Sequence, residues 1–95
     1  MRNSRIRRDL RETGMATCVK LNLGDARVVE LAGLAGFSSA WICQEHVPTD
    51  WSDVENAVRA GKNHDLDIIV RVSKGAYSDY IKPFECDAAA IMVPL

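Results

Sequence analysis

The sequence holds no apolar run approaching the ~18 residues that a membrane-crossing helix needs, and no apolar stretch of signal-peptide length follows its N-terminal arginines. Neither membrane insertion nor secretion is expected, and the expected location is the cytoplasm. There is no C-x-x-C pair. Cys18, Cys43 and Cys86 are odd in number and far apart, which excludes a disulfide framework and fits reduced thiols. Cys43 and His46 form a C-x-x-H, but His64 is the only other histidine, so a zinc site lacks ligands. Charge of one sign is also missing. Twelve Lys and Arg against 13 Asp and Glu leave a formal net charge of -1, so there is no global basic field to bind nucleic acid. Repeats, low-complexity tracts and linkers are absent, and 95 residues bound the chain to one domain.

What is present is an alternation of helix and strand signals. Arg2, Arg5, Arg7, Arg8 and Arg11 crowd the start. Asp9 and Glu12 interrupt them, which argues against a transit peptide and for a solvated helix face. Residues 3–13 form a polar helix with Ile6 and Leu10 at i, i+4, ended by Gly14. Residues 16–21 read as a strand. Asp25 then caps a helix with a broad apolar face of Val28, Val29, Leu31, Ala32, Leu34 and Ala35, closed by Gly36.

Residues 39–43 are the second strand. A helix starts near Trp51, with Ser52 and Glu55 at capping-box spacing and a buried stripe of Val54, Ala57 and Val58. Residues 67–72 are nearly all apolar, as in a parallel strand buried on both faces. Tyr77, Tyr80, Ile81 and Phe84 share one helix face, and Pro83 limits that helix to one or two turns. Residues 88–93 form a fourth strand before Pro94. The order predicts parallel strands joined by right-handed crossovers. A small flavodoxin-like nucleotide binder would share this order, but only Leu23-Gly24-Asp25 stands where its phosphate loop belongs.

In such α/β folds chemistry collects at the carboxyl ends of the strands. Here those ends deliver Lys20 and Asn22, then Gln44, Glu45 and His46, then Arg71 and Lys74, then Val93 and Pro94. An imidazole can move a proton near neutral pH. A guanidinium can grip a carboxylate through two parallel hydrogen bonds. Together they suit a small anionic substrate undergoing proton transfer. His64 lies between a helix and a strand, at the opposite end of the sheet, and reads as surface. Glu85 and Asp87 precede the fourth strand and belong to that same opposite end.

Four segments, in order, carry a resemblance. They are Glu30-Leu31-Ala32-Gly33-Leu34-Ala35-Gly36-Phe37, Trp41-Ile42-Cys43-Gln44-Glu45-His46, Ile69-Val70-Arg71-Val72 and Ile91-Met92-Val93-Pro94. Their order and spacing resemble the HpcH/HpaI family of metal-dependent 2-keto-acid aldolases, a phosphoenolpyruvate/pyruvate-type (β/α)₈ TIM barrel. The resemblance implies a lyase that cleaves or forms a carbon–carbon bond of a 4-hydroxy-2-keto acid, giving pyruvate or a similar 2-keto acid and an aldehyde. It implies a divalent metal, Mg or Mn, that chelates the keto acid. By position, His46 is the base on the aldol hydroxyl, Arg71 binds the keto acid, and Glu45 supports metal-bound water. The family has an aspartate where this chain has Cys43, and a thiol is a weak partner for an imidazolium. A homo-oligomer is implied for the full-length family.

The family's metal ligands, a glutamate and an aspartate, lie on later strands, so none is assigned here. Residues 1–95 are expected to be one partial barrel domain, truncated after its fourth strand and inactive as an isolated chain. The other expectation is a non-catalytic barrel fragment or assembly module that keeps the fold and has lost the chemistry.

Overall fold

The apolar residues change their spacing along the chain, and the backbone follows. A computed structural model describes residues 2–94; Met1 and Leu95 lie outside the described residues. The elements are α1 (Arg5–Thr13), β1 (Cys18–Leu21), α2 (Ala26–Leu34), β2 (Ser39–Cys43), α3 (Trp51–Asn63), β3 (Asp67–Arg71), α4 (Tyr77–Glu85) and β4 (Ala90–Met92). The four strands form one parallel sheet in the order β1-β2-β3-β4. Each crossover carries one helix, as parallel pairing requires.

The helix ends show why the elements stop where they do. Ser4 caps α1 by accepting from the Arg7 N–H, and Gly14 closes it at φ 77. That left-handed conformation suits a residue without a Cβ. Asp25 caps α2 by accepting from the Arg27 N–H. The cap of α3 differs from expectation. Asp50, not Ser52, is the N-cap, and it exchanges hydrogen bonds with Asp53. The Ser52 hydroxyl donates to Asp50 Oδ1 at 2.8 Å, and Glu55 instead pairs with Arg59. The strand signals at 16–21, 67–72 and 88–93 each run longer than the observed strands.

α4 also differs. It runs nine residues with Pro83 inside, rather than one or two turns. Pro83 is its only buried residue, while Tyr77 is 79% and Phe84 49% exposed. Spacing put those rings on one helix face, and that face stays largely open.

The core lies between one face of the sheet and α2 and α3. It joins Val29 and Ala32 of α2, Ala40 and Ile42 of β2, Val54, Ala57, Val58 and Ala60 of α3, and Ile68 and Val70 of β3. Val54 and Val70 are wholly buried, and each such side chain contributes about 1.5–3 kcal/mol. The broad apolar face expected of α2 is only half used: Leu31 and Leu34 are 64% and 72% exposed. Beyond Asp67, β3 is likewise fully buried on one face only. Ile68 and Val70 pack against the helices, whereas Ile69 and Arg71 on the other face are half-buried.

α1 lies across the amino-terminal end of the sheet. The wholly buried Asp67 carboxylate accepts from the backbone N–H of Arg5 (3.1 Å) and Ile6 (2.9 Å), the Ser4 hydroxyl (2.6 Å) and the Arg2 guanidinium. An anion at a helix N-terminus satisfies free N–H groups and complements the helix dipole. Arg2 and Arg8 pair with Asp65, and Arg5 pairs with Asp9. The N-terminal arginines are therefore not simply a solvated face. Three of five are half-buried in ion pairs, because the α3–β3 turn brings two aspartates under the helix; Arg7 and Arg11 stay exposed.

Candidate functional site at the carboxyl ends of the strands

Parallel register decides which side chains meet. Cys43 of β2 pairs with Arg71 of β3, and Arg71 with Met92 of β4. These side chains stand on the face that carries no helices, since neighbours in register share a face. The loop after β2 then bends back. The Gln44 N–H donates to the Arg71 carbonyl at 2.8 Å, and the Gln44 carbonyl accepts from the Ser73 hydroxyl at 3.1 Å. Two adjacent loops are thereby tied together beneath Glu45 and His46.

Glu45 is the centre of the arrangement. Its Oε1 lies 2.6 Å from Arg71 Nη2 and 2.8 Å from His46 Nε2. Both are ion-pair distances, but neither N–H is aligned on the oxygen, so this buried atom has no well-formed hydrogen bond. A buried carboxylate oxygen in that condition has capacity left for a further donor. His46 is the exposed member, its side chain 65% accessible, against 26% for Arg71 and 23% for Glu45. The histidine, the acid and the arginine that the sequence pointed to are thus brought together. Glu45 touches the other two directly.

Cys43 plays a different part. It is wholly buried, and its Sγ accepts from the backbone N–H of His46 at 3.3 Å. The thiol shapes the turn that carries His46. The imidazole lies beside Glu45 instead.

Sequence reasoning placed Lys20 at a strand end but missed Trp41 beside it on this face. Lys20 of β1 is in register with Trp41 of β2, and its Nζ sits 4.9 Å from the centre of the Trp41 ring. Arg71 Cζ lies 5.8 Å from the same ring. The signal was available as strict alternation along β2, which puts Trp41 and Cys43 on one face. Asn22 and Lys74, also delivered by strand ends, are exposed. Val93 is exposed and Pro94 half-buried, and neither has a polar side chain.

At the opposite end, His64 is not simple surface. It is half-buried beside Gly33, where a Cβ would come within 2.5 Å of the His64 Cβ, and its Nε2 lies 3.9 Å from Glu30. Asp87 pairs with Lys62 at that end, and Glu85 is exposed.

Among the described residues, no group of three His, Cys, Asp or Glu side chains is placed to hold a metal ion. Glu45 faces a guanidinium and an imidazole already, which makes it a poor direct ligand. The residues present do not fit the first coordination shell of a divalent ion. No helix among the described residues is long and apolar enough to cross a membrane.

Four parallel strands alternating with helices match the first four units of a (β/α)₈ barrel. Solved structures of that type superpose on this chain. A HpcH/HpaI aldolase/citrate lyase family protein from Burkholderia cenocepacia gives a TM-score of 0.83 at 24% identity, over 98% of this chain and 37% of that one. The citrate synthase SbnG gives 0.82 at 24% identity, over 90% and 36%. A HpcH/HpaI aldolase from Desulfitobacterium hafniense gives 0.80 at 19% identity, over 92% and 34%. The HpcH/HpaI resemblance is thus met in the fold. The chain spans about a third of the length of the structures it matches. No protein-family model matches the sequence, and no curated protein matches it significantly.

Proposed function

We propose that this chain supplies the carboxylate-binding and proton-transfer corner of an aldolase-type carbon–carbon lyase. The substrate class is a 4-hydroxy-2-keto acid, and the products are pyruvate or a similar 2-keto acid and an aldehyde. The observation that carries the reading is the bridge by which Glu45 holds Arg71 and His46 together at neighbouring strand ends.

The guanidinium has five N–H donors, and its closest approach to Glu45 is through Nη2, so N–H groups remain to grip a carboxylate or keto oxygen. His46 turns Nε2 to the carboxylate, and no hydrogen bond from a described residue reaches its Nδ1. Nδ1 is then the nitrogen that takes the proton of the C4 hydroxyl. As that proton leaves, the C3–C4 bond breaks and its electrons pass into an enolate. The enolate oxygen forms beside Arg71, where a fixed positive charge stabilises it. Protonation at C3 yields the keto acid. The resemblance adds Mg or Mn to this chemistry as a Lewis acid. The residues described do not hold that ion, and no step is assigned to it.

Calorimetric titration of pyruvate into the purified chain tests the reading. Binding should weaken at least about tenfold in Arg71→Ala, and less in Arg71→Lys, which keeps the charge but not the planar fork. Equal affinity in the wild type and Arg71→Ala sinks the proposal. With a 4-hydroxy-2-keto acid and Mg²⁺ or Mn²⁺, the chain alone should release no pyruvate, for want of a ligand set.

The second reading, a non-catalytic barrel module, is favoured by Cys43, whose Sγ serves the backbone rather than the imidazole. It predicts an intact fold with no keto-acid binding at all.

A further inference from the structure

The sheet has two free edges. In the order β1-β2-β3-β4, β1 and β4 each have a hydrogen-bonded neighbour on one side only. The N–H and C=O groups on their outer sides are open to another strand. Neither strand contains a proline. The one lysine, Lys20, is held over the Trp41 ring of its own sheet rather than across the edge. Of the devices that blunt an edge, only short length is used, four residues in β1 and three in β4.

Exposed apolar side chains gather at the same two margins. α2 packs beside β1 and α4 beside β4, while α3 covers β3 and packs against α2. From β1 onward among the described residues, the large apolar side chains that stay exposed are Leu23, Leu31 and Leu34 on the β1 side and Tyr77, Phe84 and Val93 on the β4 side. α3, the middle helix, has none. Apolar exposure at both margins and not between them marks surface that a partner covers. The helix-free face agrees, since Trp41, Ile69 and Met92 are only half-buried.

The two edges fit each other. A twofold axis along the strands sets β4 of one copy beside β1 of a second, in parallel, and does so twice. Eight strands then close with no edge left, and eight is the count at which inward side chains fill a barrel. The strands already follow those of (β/α)₈ barrels. Two helix-free faces, two seams and the helix margins beside them amount to on the order of 1,200 Å², which a stable interface needs. We propose that two copies of this chain associate edge to edge, β4 on β1 and β1 on β4, into one closed eight-stranded barrel. This is a pairing within one barrel, distinct from an assembly of whole barrels, and it does not depend on the keto-acid reading.

Sedimentation equilibrium of the full chain at micromolar concentration should give twice its mass of 10.5 kDa. Leu31→Lys combined with Tyr77→Lys, one on each margin, should weaken the pair at least about tenfold with the far-UV circular dichroism unaltered. Asn63→Lys on α3 should leave it intact. Ala90→Cys and Met92→Cys test the seam itself. Within one copy β1 and β4 stand three strand spacings apart, ~14 Å, too far for a disulfide. Under mild oxidation Cys18 should therefore link to the new thiol of a second copy in at least one of the two variants, and non-reducing electrophoresis should show dimers alone. A ladder of larger species would mean open head-to-tail chains and overturns the closed barrel. No crosslink in either variant overturns the seam. A chain that sediments singly, folded or not, overturns the pairing, and so does a dimer as tight in the margin variant as in the wild type.

Discussion

At the scale of the residue, environment has redistributed roles that chemistry alone would assign differently. Cys43 stands in a loop-forming position, wholly buried, with its sulfur on a backbone N–H. Cys18 is exposed at the start of β1. Cys86 is half-buried, and burial pushes its thiol pKa above the ordinary value, helped by the nearby Glu55 and Glu85. A raised thiol pKa leaves less thiolate at mildly alkaline pH, and the thiolate is the reactive form. Titration with a thiol reagent near pH 8 should therefore show Cys18 reacting fast and Cys86 slowly. Cys43 should react only when denaturant is added. A Cys43 as fast as Cys18 would mean that the turn carrying His46 is open in solution.

At the scale of the element, close approach governs what the helices tolerate. Gly61 lies near the end of α3, where the chain turns back into β3. A Cβ there would meet the Leu66 carbonyl at 2.7 Å and Ile68 Cγ1 at 2.9 Å. The carbonyl belongs to backbone that accompanies β3 and cannot swing aside. Gly61→Ala gains a little helix propensity but should lose roughly 1–3 kcal/mol to overpacking. Urea unfolding checks this; a midpoint equal to or above the wild type would show that α3 can lift from the sheet. Only part of the helix layer was legible beforehand. The stripe of α3 was visible because Val54, Ala57 and Val58 repeat at helical spacing. The exposure of Tyr77 and Phe84 was not, because spacing tells which side chains share a face and says nothing of whether a neighbour covers it.

At the scale of the whole molecule, the amino-terminal end is held by carboxylates that must stay ionised. Burial alone would raise the Asp67 carboxyl, but hydrogen bonds from Ser4, the N–H groups of Ile6 and Arg5, and Arg2 outweigh it and hold the pKa below its usual value of 3.8. The Ser38 hydroxyl, 2.5 Å away, lowers Asp9 in the same way, and Lys62 lowers Asp87. A carboxyl depressed in the folded state stabilises fully above its unfolded pKa, and that stability is lost as pH falls through the folded value. Stability should therefore hold between about pH 7 and 5 and drop below about pH 4. Asp67→Asn should cost about 2–3 kcal/mol at neutral pH, since hydrogen bonds to a charged group are lost, and should flatten the acid limb. Circular dichroism across a pH series checks both. An unchanged acid limb in Asp67→Asn would remove Asp67 from the account.

The order of elements, the parallel sheet and the placement of Glu45, His46 and Arg71 at strand ends followed from the sequence alone. Alternating apolar periods, caps at Asp25 and Gly14, and strand-end placement are local properties. Other features were decided only in three dimensions. Asp67 gathers four donors from residues 2–6, at and before the start of α1 and some 60 residues away in sequence. Glu45 leans on Arg71 because β2 and β3 are in register. Lys20 meets Trp41 across a strand pair that no local pattern announces. Composition and periodicity report what each segment can bury or expose. Which charges then meet depends on register and on the turns between segments, and those are settled only when the sheet closes on its helices.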